Sequence, residues 1–149
     1  MSLNVQLHRL DPGLPVPSYA HPGDAGVDLL ARTDAYLAPG HRAVIPTGIA
    51  LGLPDGYAAF IQPRSGLAAK HGITVLNTPG LIDAGYRGEL AVILLNTDRD
   101  DGFAVKRGDR IAQLVVQRVE QVTFTEVEAL ADTARGTGGF GSTGVAAHP

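Results

Sequence analysis

Ile82-Asp83-Ala84-Gly85-Tyr86-Arg87-Gly88-Glu89, followed by Leu90-Ala91-Val92-Ile93-Leu94-Leu95-Asn96, sets the character of this chain. A turn carrying a carboxylate, a phenol and a guanidinium around two glycines runs into a stretch that is apolar almost throughout. Such a run, bounded by turn residues, predicts a strand with both faces covered. The turn taken alone reads equally well in two ways. Asp- and Gly-rich turns are common, yet a carboxylate beside accessible backbone can serve as a general base, and a tyrosine ring can wall a flat or sugar-like ligand.

Working outward, short strand candidates recur on both sides. Leu3, Val5 and Leu7 alternate with polar neighbours, the period of a half-buried strand. Val27 to Ala31, Tyr57 to Gln62 and Ile73 to Asn77 are further candidates. Arg42 to Leu53 is rich in β-branched residues but interrupted by Pro46 and Gly48, which predicts a bend or bulge. Arg110 to Val122 is the longest regular piece, with Thr123 to Val127 as a possible extension, and Lys106-Arg107-Gly108-Asp109 before it reads as a hairpin turn. Helix signals are few. Ser65 to Gly72 has a capping serine, helix-forming residues and a terminal glycine; Glu126 to Ala134 is a weaker candidate. Eight or more short strands with one short helix predict an all-β sandwich, jelly roll or barrel.

The chain has 149 residues, enough for one domain with a sizeable core. Hydrophobic residues make up 44% and charged residues 18%, a globular balance, and 19 glycines with 10 prolines lie between the apolar runs. A formal charge of −3, four tyrosines, four phenylalanines and no tryptophan disfavour a nucleic-acid groove, which needs a basic stripe and stacking aromatics. No cysteine is present, which excludes thiol catalysis and a disulfide scaffold. No apolar run reaches membrane-spanning length, and Met1-Ser2-Leu3-Asn4 starts no signal peptide, so the expectation is a soluble, cytoplasmic protein.

Three segments carry chemistry. Arg64-Ser65-Gly66 opens the helix, where free N–H groups and a guanidinium fork suit phosphate oxygens, although simple capping explains it as well. Arg135-Gly136-Thr137-Gly138-Gly139-Phe140-Gly141-Ser142-Thr143-Gly144 has five glycines in ten residues. It reads as a bare tail, or as a segment that orders over a ligand with Phe140 stacked on a base and Arg135 on a phosphate. Asp28 places a carboxylate in Ala25-Gly26-Val27-Asp28-Leu29. His8, His21, His41, His71 and His148 are scattered without ligand spacing, so a metal here would be Mg²⁺ held mainly by a ligand's phosphates.

In order, these segments resemble the five motifs of the homotrimeric dUTPases. They stand as Ala25 to Leu29, Pro63-Arg64-Ser65-Gly66-Leu67, Asn77-Thr78-Pro79-Gly80-Leu81 running on to Glu89, Arg107-Gly108-Asp109-Arg110-Ile111-Ala112-Gln113-Leu114, and the Arg135 to Gly144 tail. The resemblance implies a jelly-roll-like distorted barrel of short strands with one short helix, a homotrimer, and Mg²⁺-dependent hydrolysis of dUTP to dUMP and pyrophosphate. It implies a β core over residues 1–134 and a glycine-rich lid over 135–149, flexible without ligand, that closes a site shared between subunits. By position, Asp83 resembles the general base and Tyr86 the residue packed under the deoxyribose. Asn77 with the backbone of Gly80, Leu81 and Ile82 would read the uracil edge. Arg64, Ser65, Gly66 and Gln113 would hold phosphates, and Asp28 would act on Mg²⁺ through water. Arg135, Phe140, Gly141, Ser142 and Thr143 would form the lid.

Two rivals differ at named positions. The dCTP deaminases share much of the motif order, but their deaminating glutamate falls by alignment at Ile93, which cannot carry a proton. A non-catalytic nucleotide-sensing module on the same fold has no need of Asp83 or the lid, and this chain keeps both.

Overall fold

Eleven short strands and one helix make up the regular structure of residues 2–147, the part of the chain that the computed structural model describes. In chain order they are β1 (Gln6–Arg9), β2 (Val27–Leu30), β3 (Ala35–Leu37), β4 (Arg42–Pro46), β5 (Ile49–Gly52), β6 (Tyr57–Gln62), α1 (Ser65–His71), β7 (Ile73–Val75), β8 (Gly80–Ile82), β9 (Ala91–Asn96), β10 (Phe103–Val105) and β11 (Arg110–Arg118). Four antiparallel sheets form, in the orders β1-β5, β10-β3, β2-β11-β6-β8 and β4-β9-β7. They wrap one core, in which Leu29, Leu37, Ile45, Ile73, Leu90, Leu94 and Ile111 are fully buried. Truncating one of these leucines to alanine removes about 2–5 kcal/mol, the usual cost of a core cavity.

The all-β architecture with one helix agrees with the sequence reading, and the local details depart from it in instructive ways. The alternation at Leu3 to Leu7 starts a strand later, at Gln6, and Leu3 is exposed. Arg42 to Leu53 is more than bent: it is cut into β4 and β5, which belong to different sheets. Pro46 has no N–H to continue the ladder, and Gly48 turns the chain at φ +77°. β9 alternates: Val92, Leu94 and Asn96 are fully buried while Ala91, Ile93 and Leu95 are only half-buried, so one face is incompletely covered within a single chain.

Lys106 to Asp109 forms the predicted tight turn, with Asp109 N–H bonded to Lys106 O at 2.9 Å. It is not a hairpin, because β10 pairs with β3 while β11 pairs with β2 and β6. Strands β3 and β10, three residues each, have too little periodicity to be read from sequence. Past Arg118 neither the extension at Thr123 to Val127 nor the helix at Glu126 to Ala134 forms. Val122, Phe124 and Leu130 there are 67%, 90% and 86% exposed, so no core within the chain stabilises either structure.

Candidate active site

β6 is the axis on which the candidate residues are arranged. It pairs with β11 on one side and β8 on the other, and the registers decide which side chains meet. On β11, Gln113 lies opposite both Gln62 of β6 and Asp28 of β2. The chain then stays extended through Arg64, which occupies the N-cap position of α1 with φ −93° and ψ 128° and makes no capping hydrogen bond through its side chain. Ser65 is therefore the first helical residue rather than the cap. Gly72 does end the helix as predicted, at φ +63°, with its N–H on Ala68 O.

Asp28, Arg64, Ser65, Gly66 and Gln113 thus converge. With Ala20, Asp24, Ala25 and Gly26 they line a cleft of about 360 Å³. Asp28 binds Arg64 Nε through Oδ1 at 3.2 Å and Arg110 Nε through Oδ2 at 3.5 Å. Arg64 Nη1 also donates to Arg110 O at 3.1 Å, and Gln113 Nε2 donates to Pro63 O at 2.9 Å. A Cβ at Gly26 would stand 2.5 Å from Gln113 Oε1, so glycine is what admits the Gln113 side chain. At Gly66 no heavy atom lies within 4 Å of a Cβ position, leaving the helix start open to the cleft. The sequence reading missed Arg110 and Asp24; Arg110 stands inside a quoted motif, and only the β2–β11 register shows that it shares Asp28 with Arg64.

The second group lies at the other end of β6. Gly80 is opposite Ile61, Leu81 opposite Phe60 and Ile82 opposite Ala59, which sets Asp83 level with Ala58. Asn77 sits over Gly80: a Cβ there would be 3.3 Å from Asn77 Nδ2. Asp83 O accepts the Tyr86 N–H at 3.1 Å, closing the turn, and Arg87 Nη1 ties it further by donating to Ala84 O and Tyr86 O. Asp83 and Tyr86 are solvent-exposed, and Asp83 borders a second cleft with Asp55, Gly56, Tyr57, Ala84 and Gly85 among its walls. Ala58 and Arg64 are six strand positions apart, roughly 20 Å of extended chain, so the single chain does not bring Asp83 and Tyr86 to the Arg64 cleft.

Nor does it bring the glycine-rich tail there. Arg135 Nε donates to Gly138 O at 2.9 Å, Gly138 N–H to Arg135 O at 3.1 Å and Ser142 N–H to Gly139 O at 3.0 Å, all bonds within the segment. Phe140, Gly141, Ser142 and Thr143 are exposed. Residues 148 and 149 of the expected lid, His148 among them, lie outside the described residues. Among the described residues no three His, Cys, Asp or Glu side chains converge as a metal cage, and no helix is long and apolar enough to cross a membrane.

Against known proteins, the family model described as dUTPase matches residues 13–144. The chain is 65% identical over 143 residues to the deoxyuridine 5'-triphosphate nucleotidohydrolase of Thermobifida fusca, covering 96% of this chain and 80% of that one. The chain belongs to the dUTPase family. A second dUTPase relative, the nucleotidohydrolase of the same name from Rhodococcus erythropolis, is 61% identical over 142 residues, covering 95% of this chain and 87% of its own. Among solved structures, a mutant Staphylococcus bacteriophage 80alpha dUTPase with dUpNHpp superposes with a TM-score of 0.89 at 29% identity, covering 97% of this chain and 100% of that one. A mutant dUTPase from phage phi11 of S. aureus, described as coordinating a structural Mg(II) ion, superposes with a TM-score of 0.80 at 25% identity, covering 87% and 100%.

Proposed function

We propose that this chain hydrolyses dUTP to dUMP and pyrophosphate in the cytoplasm, keeping uracil out of DNA and supplying dUMP for thymidylate synthesis. The observation that carries the reading is the family match over residues 13–144, which takes in the Arg64 cleft, the Asp83 turn and the tail to Gly144 together.

In this reading the triphosphate lies along the Arg64 cleft. The Arg64 guanidinium, the N–H groups of Ser65 and Gly66 and the Gln113 amide hold its oxygens and take up the charge that spreads over them in the transition state. Asp83 orients a water and accepts its proton as the oxygen attacks the α-phosphorus in line. The bond from that phosphorus to the bridging oxygen breaks, and pyrophosphate leaves. Asn77 and the Gly80, Leu81 and Ile82 backbone read the uracil edge, and the Tyr86 ring packs where a 2′-hydroxyl would clash. The donor set fits a phosphate-borne Mg²⁺ and not a protein cage: Asp28 already pairs with Arg64 and Arg110 and has a carboxylate to offer through water. Bound there, the ion neutralises phosphate charge.

The roughly 20 Å of strand between Asp83 and Arg64 supports a homotrimer in which one subunit's Asp83 turn faces another's phosphate cleft. The half-covered face of β9, Val44 at 66% exposure opposite Ile93, and the exposed Val122, Phe124 and Leu130 supply apolar surface for such an assembly. The segment from Arg135 to Gly144 forms the lid of that shared site and closes over bound nucleotide, with Arg135 on phosphate and Phe140 over the base while Gly141, Ser142 and Thr143 wrap the substrate.

The test is pyrophosphate release from dUTP, dCTP, dTTP and UTP measured side by side with Mg²⁺. Rapid release from dUTP alone is expected; ammonia from dCTP would overturn the assignment.

A further inference from the structure

Glu89 and Arg32 take no part in the chemistry above, yet they connect directly to the Tyr86 turn. Glu89 Oε1 accepts from Arg32 Nη1 at 2.9 Å and from the Gly48 N–H at 2.9 Å. The carbonyl of the same residue accepts the Tyr86 hydroxyl at 3.1 Å. Next to it, buried Leu90 donates its N–H to Ile49 O at 2.8 Å and accepts from Thr47 N–H at 3.0 Å and Thr47 Oγ1 at 2.7 Å. The break between β4 and β5 and the first residue of β5 together therefore grip residues 89 and 90 through four hydrogen bonds. Only glycine suits the centre of the break, because at φ +77° a Cβ on Gly48 would stand 2.9 Å from Asp11 Cβ.

The charges alternate through this cluster. Arg32 Nε lies 3.4 Å from Asp11 Oδ2, and Asp11 is held in turn by the Arg107 guanidinium through both carboxylate oxygens. Arg32 and Glu89 are each about one-third exposed, so the pair is partly shielded from solvent. Tyr86 is 45% exposed, and its ring lies over Gly88, where a Cβ would collide with it; the ring is anchored by its hydroxyl's hydrogen bond to Glu89 O. The ring's position then depends on where the Glu89 carbonyl is held.

We propose that the Glu89–Arg32 pair is a positioning device for Tyr86, setting the ring against the sugar and so the preference for deoxyribose over ribose. The inference rests on the reading of Tyr86 as the sugar wall. Without the Glu89 carboxylate the Gly48 N–H and the Arg32 guanidinium lose their acceptor, residue 89 shifts, and the tyrosine hydroxyl follows it.

The experiment compares kcat/KM for dUTP and UTP in wild type, Glu89→Ala, Glu89→Gln, Tyr86→Phe, Tyr86→Ala and the Tyr86→Phe/Glu89→Ala double variant, with Tm for each. Glu89→Ala is expected to lower the dUTP to UTP ratio about tenfold, mainly through KM, the scale on which one misplaced pocket contact acts. Glu89→Gln, which keeps an acceptor for Gly48, should recover part of it. The double variant should be no worse than the poorer single one, the mark of coupled groups. A lowered Tm with an unchanged ratio in both Glu89 variants would reduce the pair to a fold staple and overturn the proposal. Additive losses in the double variant would overturn it too. Tyr86→Ala separates the two readings: if it collapses the ratio while the Glu89 variants do not, only the positioning role fails; if it leaves the ratio unchanged, the sugar-wall reading fails and takes the inference with it.

Discussion

Asp83 and Arg64 lie toward opposite ends of β6, because Ile82 pairs with Ala59 near the strand's start while Arg64 follows Gln62 and Pro63 past its far end. In the proposed shared site, the base and the phosphate clamp acting on one substrate therefore come from different chains.

Mixed assemblies test this directly. Asp83→Asn and Arg64→Ala chains, each nearly inactive alone, should regain activity when co-expressed, since some sites then receive both intact groups from different subunits. Equal random mixing in a closed trimer restores roughly a quarter of wild-type turnover. No gain on mixing, with mixed assemblies verified by mass, would place the whole site in one chain.

Asp83→Asn by itself should keep nucleotide affinity and lose turnover by about 10²–10⁴-fold, the range for removing a positioned general base. Binding is read with a non-hydrolysable imido analogue of dUTP, turnover with pyrophosphate release. Normal turnover would move the base role elsewhere.

Truncation after Ala134 removes Arg135 and Phe140 without touching a core residue. The expected product is an assembly of unchanged subunit number and unchanged Tm with much-reduced kcat, because in the proposed site the segment closes as a lid that excludes water. Sedimentation and steady-state kinetics check it, and wild-type kinetics would make the segment only a tail.

Asp11 supplies a pH-dependent contribution to stability. The Arg107 guanidinium hydrogen-bonded to it, against a smaller opposing effect of burial, lowers its pKa from 3.8 to about 2. A carboxyl depressed in the folded state stabilises the fold above its unfolded value, and that contribution is lost as pH falls through the folded one. Asp11→Asn should therefore lower Tm near neutrality by a few degrees, with the gap to wild type closing between about pH 4 and pH 2. Thermal melts across that range provide the measurement; a gap independent of pH would mean that packing, not charge, is what the substitution removes.

Much of the protein is legible in its residues. The strand at Tyr57–Gln62 and the apolar run before Asn96 show in their own residue patterns, while the Gly72 helix end and the Lys106–Asp109 turn depend on interactions a few residues long. The chemical types at Asp83, Tyr86, Arg64 and Gln113 are likewise visible in order along the chain. Three-residue strands such as β3 and β10 are not, because they carry no full period and exist through their partners.

Which groups meet is a different matter, since it depends on register between strands distant in sequence. Asp28 reaches Arg64 and Arg110 through the β2–β11 pairing. Glu89 reaches Arg32 across 57 positions. Asp83 is carried away from Arg64 by the β6–β8 pairing, although only nineteen positions separate them. A one-residue slip in any of these ladders would turn each side chain to the other face, so the residue types were settled along the chain and their company only by the packed sheets.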